Sequence, residues 1–189
     1  MVEYPNLVGV ILAAGGSSRM GRSKALMDFR GEPLVLAHVR ALRTRCEQVH
    51  VVLGHESEMI REVLPDEAFV HMNSRWRETD PRSSLLVALE TVDPGTTILL
   101  TPVDTLPVPP GVSKALFETG PPAVPTYQGQ PGHPVLFLAQ DTLEGLRRGL
   151  LLSSLLETAS RVPVDWPGCR ANLNTPGDWR AWVGPVPGD

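Results

Sequence analysis

Short apolar runs alternate with amphipathic segments along most of this chain of 189 residues. Four runs are short enough to be strands buried in a parallel sheet, at about residues 7–12, 49–53, 69–71 and 97–101. Apolar positions at helical spacing predict helices between and after them, at about residues 34–43, 57–64, 83–92 and 112–118. This alternation indicates a parallel sheet that is covered by helices on both faces.

The last third of the chain is less regular. Strands are predicted at residues 123–125 and 135–137, around a turn rich in glycine and proline, and a late strand at 162–164. Further helices are predicted at about 140–147, 152–160 and 176–183. We expect one domain over residues 1–189, with a frayed tail from about residue 184.

Composition and charge exclude some classes of function. Hydrophobic residues make up 42% and charged residues 20%, which is typical of a globular domain. The net charge of -4 argues against a nucleic-acid binder held by bulk electrostatics, although a local basic pocket remains compatible with it. The apolar run at 7–14 is too short to span a bilayer and lacks a basic flank. The two cysteines form no metal or redox motif and suit a reducing cytosol, so a cytoplasmic protein is expected.

The loop that follows the first strand has the composition of a phosphate-binding loop. Gly15, Gly16 and Gly21 allow the backbone to turn sharply and to approach a ligand closely. Consecutive backbone N–H groups in such a loop can form an anion-binding nest, and basic side chains surround it. The loop is not a P-loop, because Arg22 and Ser23 follow where Lys and Ser or Thr should stand, and it lacks the dinucleotide fingerprint.

The stretch from Leu12 to Lys24 resembles the L-A-A-G-x-S-x-R-M-G-x-x-K signature of the MobA-like nucleotidyltransferases, most closely the molybdenum cofactor cytidylyltransferases. The resemblance implies a single Rossmann-like three-layer α/β/α domain with a mostly parallel sheet, of the nucleotide-diphospho-sugar transferase type. It implies catalytic roles for Arg19 at the leaving pyrophosphate and Lys24 near the α-phosphate. Nucleotide-binding residues implied by it are Leu12, Ala13, Ala14, Gly15, Gly16, Ser17, Ser18, Arg19 and Lys24. The alternative is a Gly/Ser-rich surface turn with incidental basic residues.

Asp104 is a candidate catalytic residue and metal ligand. It follows the strand at 97–101, and the carboxyl ends of parallel strands share one edge of a sheet, so it can face the glycine loop. A carboxylate in this place suits Mg2+, which prefers oxygen ligands and bridges phosphates. The related family has P-G-D-Q-P or P-x-D-x-P here, whereas Pro107 is displaced by one position. Alternatively, Asp104 only caps a turn or helix.

Asn174 is the second candidate metal ligand. The segment from Asn172 to Pro176 resembles the family's D-x-D-T-P, with both acids replaced by amides as in related guanylyltransferases. An Asn carbonyl can coordinate Mg2+ but adds no charge. The same residues could cap the last helix, with Thr175 as N-cap and Pro176 at the first helical position, and both roles can hold together.

Two other segments carry the resemblance. Asn73 and Trp76, followed by Ser83 and Ser84, are similar to a family loop that enters a helix beside the nucleotide. Trp76 could instead be core packing, and the two serines could be helix caps. Residues 129–137 resemble G-R-x-G-H-P-V-L-F of the cytidylyltransferase branch, which implies that Gly132 and His133 face the acceptor. The family's G-D-x-G-A-R is absent from residues 146–154, so the acceptor could differ from molybdopterin.

The function expected is a Mg2+-dependent transfer of CMP from CTP to a phosphorylated acceptor, with molybdopterin implied by the resemblance. Ala14 favours CTP, because the guanylyltransferase branch typically has glycine at that position. Expected partners are the nucleotide, a pterin-like acceptor and a molybdoenzyme or its chaperone, without nucleic acid or membrane. The alternatives are a guanylyltransferase, a sugar-phosphate nucleotidyltransferase, and a non-catalytic nucleotide- or cofactor-binding protein.

Overall fold

The strands of the computed structural model, which describes residues 6–77 and 81–186, form one sheet of eight strands. The strands are β1 (Leu7–Ala13), β2 (Gln48–Leu53), β3 (Phe69–Met72), β4 (Thr97–Pro102), β5 (Ala123–Tyr127), β6 (Gln130–Pro131), β7 (Val135–Leu138) and β8 (Ser160–Pro163). The helices are α1 (Leu34–Arg43), α2 (Ser57–Val63), α3 (Pro81–Leu89), α4 (Pro110–Thr119), α5 (Ala139–Arg147), α6 (Leu152–Leu155) and α7 (Pro176–Trp182). Short 3-10 turns lie at Lys24–Leu26 and Pro167–Arg170.

The strand order is β3-β2-β1-β4-β7-β5-β6, and β8 pairs with β5. β1 runs parallel to β2 and β4, and β2 runs parallel to β3, so these four strands end at the same edge. β7 is antiparallel to both β4 and β5, while β8 runs parallel to β5. The expected single α/β domain with a mostly parallel sheet is therefore confirmed, with an antiparallel strand inserted at β7.

Neighbouring residues of the central strands are buried on opposite faces of the sheet. Val10 packs in a cluster with residues of α3 and α5, whereas Ile11 packs in a cluster with residues of α1 and α4. Both side chains are fully buried, and burial of an aliphatic side chain of this size contributes about 1.5–3 kcal/mol. Helices on both faces thus produce the three layers that the sequence pattern predicted.

A third, smaller cluster joins the glycine loop to the end of the chain. Met20 and Met27 pack there with Leu173 and Trp179. Val186 belongs to the same cluster and is 5% exposed, so the chain is packed up to that residue. The tail was expected to fray from about residue 184, and its residues 187–189 lie outside those that the structure describes. None of the described helices is long and apolar enough to cross a membrane.

Two predicted helices were wrong in extent. The helix expected at 152–160 ends at Leu155, because the chain then turns into β8 from Ser160. The helix expected at 83–92 begins at Pro81 and ends at Leu89. The loop that contains Asn73 and Trp76 therefore ends where the helix begins at Pro81, and residues 78–80 lie outside the described residues.

Candidate active site

Three candidate residues from distant parts of the chain meet at the carboxyl edge of the central strands. The Lys24 Nζ donates hydrogen bonds to Asp104 Oδ2 at 3.0 Å and to Asn174 Oδ1 at 2.7 Å. The Lys24 side chain is 12% exposed and that of Asp104 is 30% exposed. The ammonium therefore binds both candidate metal ligands at once, in a site that is only partly open to water.

Asn174 also precedes the N-terminus of α7, where the capping role considered for its segment is confirmed, while its role as a metal ligand stays a prediction. Thr175 caps the helix, and Asp178 completes a capping box with it. The Asp178 carboxyl has a lowered pKa. It accepts hydrogen bonds from the Thr175 hydroxyl and from the backbone N–H groups of Thr175 and Asn174, and the charge of nearby Arg19 acts in the same direction. The Nδ2 of Asn174 donates to Asn172 Oδ1, which orients the opposite amide oxygen toward Lys24.

The glycine loop is closed on itself by hydrogen bonds. The Ser17 Oγ accepts the backbone N–H of Lys24 at 3.1 Å, and the Ser17 carbonyl accepts that of Met20 at 2.9 Å. Ser17 has a positive φ of 48°, a conformation that brings successive N–H groups toward one side. Ser18 and Arg19 are exposed and line neither of the two cavities of this region.

A first cavity of about 570 Å³ lies between the glycine loop and α3. Of the predicted nucleotide-binding residues, those that line it are Leu12, Ala14, Gly15, Ser17, Lys24 and Ser84. Asp104 and His133 line it as well. Ala13 does not, because its side chain is buried in the core. Gly16 does not line the cavity either. It lies against Trp76, since a Cβ added to Gly16 would be 3.0 Å from the Trp76 ring.

Trp76 both packs and lines the first cavity. Its ring lies edge-on to His55, with 4.9 Å between ring centroids, and it packs against Gly54, where a Cβ would come within 2.7 Å of it. Asn73 and Ser83 do not line the cavity. The Asn73 Nδ2 instead donates to the hydroxyls of Ser83 at 3.0 Å and Ser84 at 2.9 Å. Asn73 thus fixes the start of α3, and Ser84 alone of these three reaches the cavity.

A second cavity of about 640 Å³ adjoins the first. Both predicted acceptor-binding residues, Gly132 and His133, line it. The residues that line both cavities are Pro102, Asp104, His133 and Leu152. Asp104 therefore lies at the boundary between two spaces, each large enough for a small-molecule ligand.

The backbone holds Gly132 and His133 tightly against the turn at 167–170. A Cβ on Gly132 would lie 2.1 Å from the Cys169 carbonyl oxygen, which accepts the His133 N–H at 2.7 Å. Burial lowers the pKa of His133, and the nearby Asp104 carboxylate opposes this effect. Its Nδ1 is buried without a hydrogen-bond partner among the described residues. Burial therefore disfavours protonation of this imidazole, and one of its ring nitrogens is enclosed without a partner among the described residues.

The loop that carries Asp104 rests on His38, a residue that the sequence analysis missed. The His38 Nε2 lies 3.2 Å from the Thr105 carbonyl oxygen, and its side chain is 1% exposed. Desolvation by burial lowers the pKa of His38 from 6.5 to about 4, so this imidazole is neutral near pH 7. The Thr105 hydroxyl donates to the Pro102 carbonyl at 2.8 Å and closes the turn. The sequence did contain one sign that His38 is buried: it lies on the apolar face of α1, with Leu34, Val35 and Leu42.

Known proteins are similar to this chain in sequence. A model of the MobA-like NTP transferase domain matches residues 9–162. The bifunctional protein GlmU of Rubrobacter xylanophilus is 36% identical over 97 residues, which are 50% of this chain and 20% of that protein. The molybdenum cofactor guanylyltransferase of Xanthomonas euvesicatoria pv. vesicatoria is 35% identical over 99 residues, 51% of this chain and 46% of that protein. The chain thus aligns with less than half the length of these curated relatives.

Solved structures resemble the whole domain. Rv0371c from Mycobacterium tuberculosis H37Rv has a TM-score of 0.79 at 26% identity, and the match covers 96% of this chain and 99% of that one. A structure of Rv0371c in complex with manganese has a TM-score of 0.74 at 25% identity, covering 94% of this chain and 97% of that one. The matches to Rv0371c therefore extend over nearly the full length of both chains.

Proposed function

This chain belongs to the MobA-like NTP transferase family, and from that premise we propose that it transfers CMP from CTP to a phosphorylated acceptor and releases pyrophosphate. The acceptor proposed is the molybdopterin cofactor. At the level of the family the chain is a nucleotidyltransferase, and the base, the metal and the acceptor are the parts of the proposal that need experiments.

One observation supports the proposal above the others. Asp104 lies at the boundary between two cavities and is bound by Lys24 Nζ at 3.0 Å. A transfer between two substrates needs a charged centre between their binding sites, where the attacking oxygen of the acceptor approaches the α-phosphorus of the nucleotide opposite the leaving pyrophosphate. A protein that only bound a nucleotide would not need a second cavity that shares this carboxylate.

The residues present fit a divalent cation. Two oxygen atoms, one from Asp104 and one from Asn174, already converge on the positive charge of Lys24. An all-oxygen set with one carboxylate suits Mg2+, which takes its other ligands from water and phosphates. No cluster of three or more His, Cys, Asp or Glu side chains occurs among the described residues, so phosphate oxygens would have to complete the shell. When bound there, Mg2+ would supply neutralisation of charge between acceptor and triphosphate.

The chain's own residues position the substrates for an in-line displacement at the α-phosphorus. The N–H groups of the loop at 15–18 would hold the triphosphate, and Lys24 would leave Asp104 and Asn174 to neutralise charge near the α-phosphate. The proposed role of Arg19 at the leaving pyrophosphate requires its exposed side chain to turn from Asp178 toward the triphosphate. Such chemistry depends on positioning and charge more than on proton transfer.

The choice of base is supported by the wall of the first cavity. Ala14 is 5% exposed and lines this wall, so its methyl group narrows the space for a base. The Ala14 carbonyl already accepts the His55 N–H at 3.1 Å, which leaves one lone pair of this oxygen for a ligand. GTP is the second candidate nucleotide. It is favoured by the amides Asn172 and Asn174 and by the name of one curated relative, a guanylyltransferase.

Pyrophosphate release tests the proposal. The purified chain would be incubated with CTP or GTP and Mg2+, with and without molybdopterin, and pyrophosphate and the dinucleotide product would be quantified. We expect release that requires both the acceptor and Mg2+, and that is faster with CTP. Binding of nucleotide without release under any of these conditions would favour a non-catalytic protein.

A further inference from the structure

The second cavity carries positive charge that the proposed chemistry has not used. Arg161, on β8, and Arg170, at the end of the turn Pro167–Arg170, both line it. β8 pairs in parallel with β5, where Arg161 lies opposite Val124, another lining residue. Two exposed arginines from separate elements thus line one space.

Neither arginine is paired with an acidic side chain in the part of the chain that the structure describes. Among the described residues, Arg161 and Arg170 form no salt bridge and no side-chain hydrogen bond, in contrast to Arg147, which binds Glu90 at 2.9 Å. Within residues 6–77 and 81–186, Asp104 is the only acidic residue that lines the second cavity, and Lys24 already binds it. The cavity therefore has a local excess of positive charge, although the chain as a whole has a net charge of -4.

The remaining wall of the cavity is mixed: Thr105, Ser153 and Asn172 are polar, and one part of it is apolar. Val124, Val135, Leu152 and Leu156 lie along it, and no charged side chain stands among these four. A ligand that fits this space needs an apolar body and an oxyanion, because planar guanidinium groups bind phosphate oxygens in bidentate geometry. A neutral polyhydroxyl ligand would leave both arginines without a partner and the apolar wall without a contact.

We propose that Arg161 and Arg170 form an anion clamp that makes the second cavity selective for a phosphomonoester attached to an apolar body. The inference rests on the proposed function, because it assigns the acceptor to this cavity. The clamp would hold the acceptor phosphate close to Asp104, which borders the cavity, while Val124 and Leu156 contact the body of the ligand. Arg161 and Arg170 are then residues that determine acceptor specificity.

Phenyl phosphate is a suitable probe, and phenol is its uncharged counterpart. Calorimetric titrations would use the full chain with Mg2+, after the first cavity has been saturated with a non-hydrolysable CTP analogue. The variants would be Arg161→Gln, Arg170→Gln and the double variant. Arg147→Gln serves as the matched control, because Arg147 lines neither of the two cavities.

We expect the wild type and Arg147→Gln to bind phenyl phosphate equally. Each clamp variant should bind it about tenfold more weakly, since a charge-assisted hydrogen bond contributes an effect of this order, and all variants should bind the nucleotide analogue normally. Equal phenyl phosphate binding in all variants, absence of binding to the wild type, or equally strong binding of phenol would overturn the clamp. Failure of the wild type to bind the nucleotide analogue would instead count against the proposed function, so the two failures are distinguishable.

Discussion

The backbone N–H of Leu173 donates a hydrogen bond of 2.7 Å to the carbonyl oxygen of Asp104. This bond joins the loop after β4 to the segment before α7, so the two candidate metal ligands are held at a fixed separation by the main chain. Leu173 is fully buried in the cluster that contains Trp179, which makes the junction rigid. The site is thus preorganised around Asp104, and its residues can be tested one at a time.

Asp104→Ala should abolish turnover and leave the fold intact. Loss of the only carboxylate at the boundary of the cavities should lower the rate on the order of a thousandfold. Pyrophosphate release would be measured beside circular dichroism and thermal unfolding. Asp66→Ala, an exposed change in the loop after α2, is the control and should remain active. A folded Asp104→Ala protein with near-normal Mg2+-dependent activity would show that the assignment is wrong.

Lys24→Ala should lower kcat more than it weakens nucleotide binding. The ammonium faces Asp104 and Asn174 in the free protein and would act on charge that redistributes in the transition state. Arg19→Ala should follow the same direction with a smaller effect, because Arg19 is exposed and outside the first cavity. Nucleotide affinity by calorimetry and kcat by pyrophosphate release separate the two effects. Unchanged kcat at saturation would mean that these residues bind only the ground state.

Ala14→Gly should weaken the preference for CTP over GTP. The methyl group lines the first cavity, and exclusion of a purine by one methyl is an effect of about 1–3 kcal/mol, or roughly ten- to two-hundredfold. Competition between the two nucleotides in the presence of Mg2+ measures the preference. Ala13→Gly, the same change at the preceding residue whose side chain faces the core, should leave the preference unchanged. Tighter binding of GTP by the wild type would refute the cytidylyltransferase proposal.

The two buried histidines should make the protein less stable in mild acid. Burial lowers the pKa of His38 from 6.5 to about 4, so between these values the unfolded chain binds more protons than the folded one. Stability should therefore fall as the pH decreases from about 6.5 toward 4, by up to about 3 kcal/mol for this residue. Burial and the neighbouring His71 lower the pKa of His50 to about 4 in the same direction. Urea unfolding between pH 4 and pH 7 measures the slope.

Three variants identify which histidine causes the pH dependence of stability. They also test whether His38 supports the loop that carries Asp104. His38→Gln, His38→Leu and His50→Gln should each flatten the pH dependence of stability. His38→Leu should also lower kcat, because the Thr105 carbonyl loses its partner beneath the loop. His38→Gln retains an N–H donor and should preserve kcat, as should His50→Gln, whose side chain lies on β2 and binds His71. Equal kcat in both His38 variants would limit this residue to a role in stability.

Gly132→Ala should destabilise the fold and disrupt the second cavity. The added Cβ would meet the Cys169 carbonyl oxygen at 2.1 Å, and this oxygen belongs to the backbone and cannot rotate away. A loss of more than about 2 kcal/mol of stability is expected from such overpacking. Gly95→Ala, where a Cβ meets nothing within 4 Å, is the matched control and should change stability by less than about 0.5 kcal/mol. Similar unfolding curves for the two variants would contradict the crowding inferred here.

The central half of the fold could be predicted because its pattern is local. The strands that contain Val10, Val51 and Leu99 are short apolar runs between turn residues. The immediate neighbours of a residue in such a run are enough to predict that it lies in a buried strand. The antiparallel direction of β7 could not be predicted in this way, since the apolar pattern of a buried strand is the same in either direction. The end of α6 at Leu155 was missed for a related reason. The apolar spacing of a helix continues to Ala159, but the chain after Leu155 turns toward β8, which begins at Ser160.

The site was predictable where the residues are chemically distinctive. Lys24, Asp104 and Asn174 could be proposed from a resemblance in sequence, and the structure brings them within hydrogen-bond distance. The roles of buried supporting residues depend on contacts across the chain, and sequence spacing does not reveal them. His38 and Thr105, for example, are separated by 67 positions. The exposed Arg161 and Arg170 line one cavity because β8 and the turn at 167–170 both lie against β5, which spacing does not reveal either.

The contact between Lys24 and Asn174 spans 150 positions of the chain. During synthesis the N-terminal strands emerge and can pair well before the segment that contains Asn174 exists. Any product that stops short of α7 therefore carries Lys24 and Asp104 without Asn174. If the proposed roles of these residues hold, such a partly synthesised copy would lack one metal ligand and would turn over nucleotide slowly or not at all.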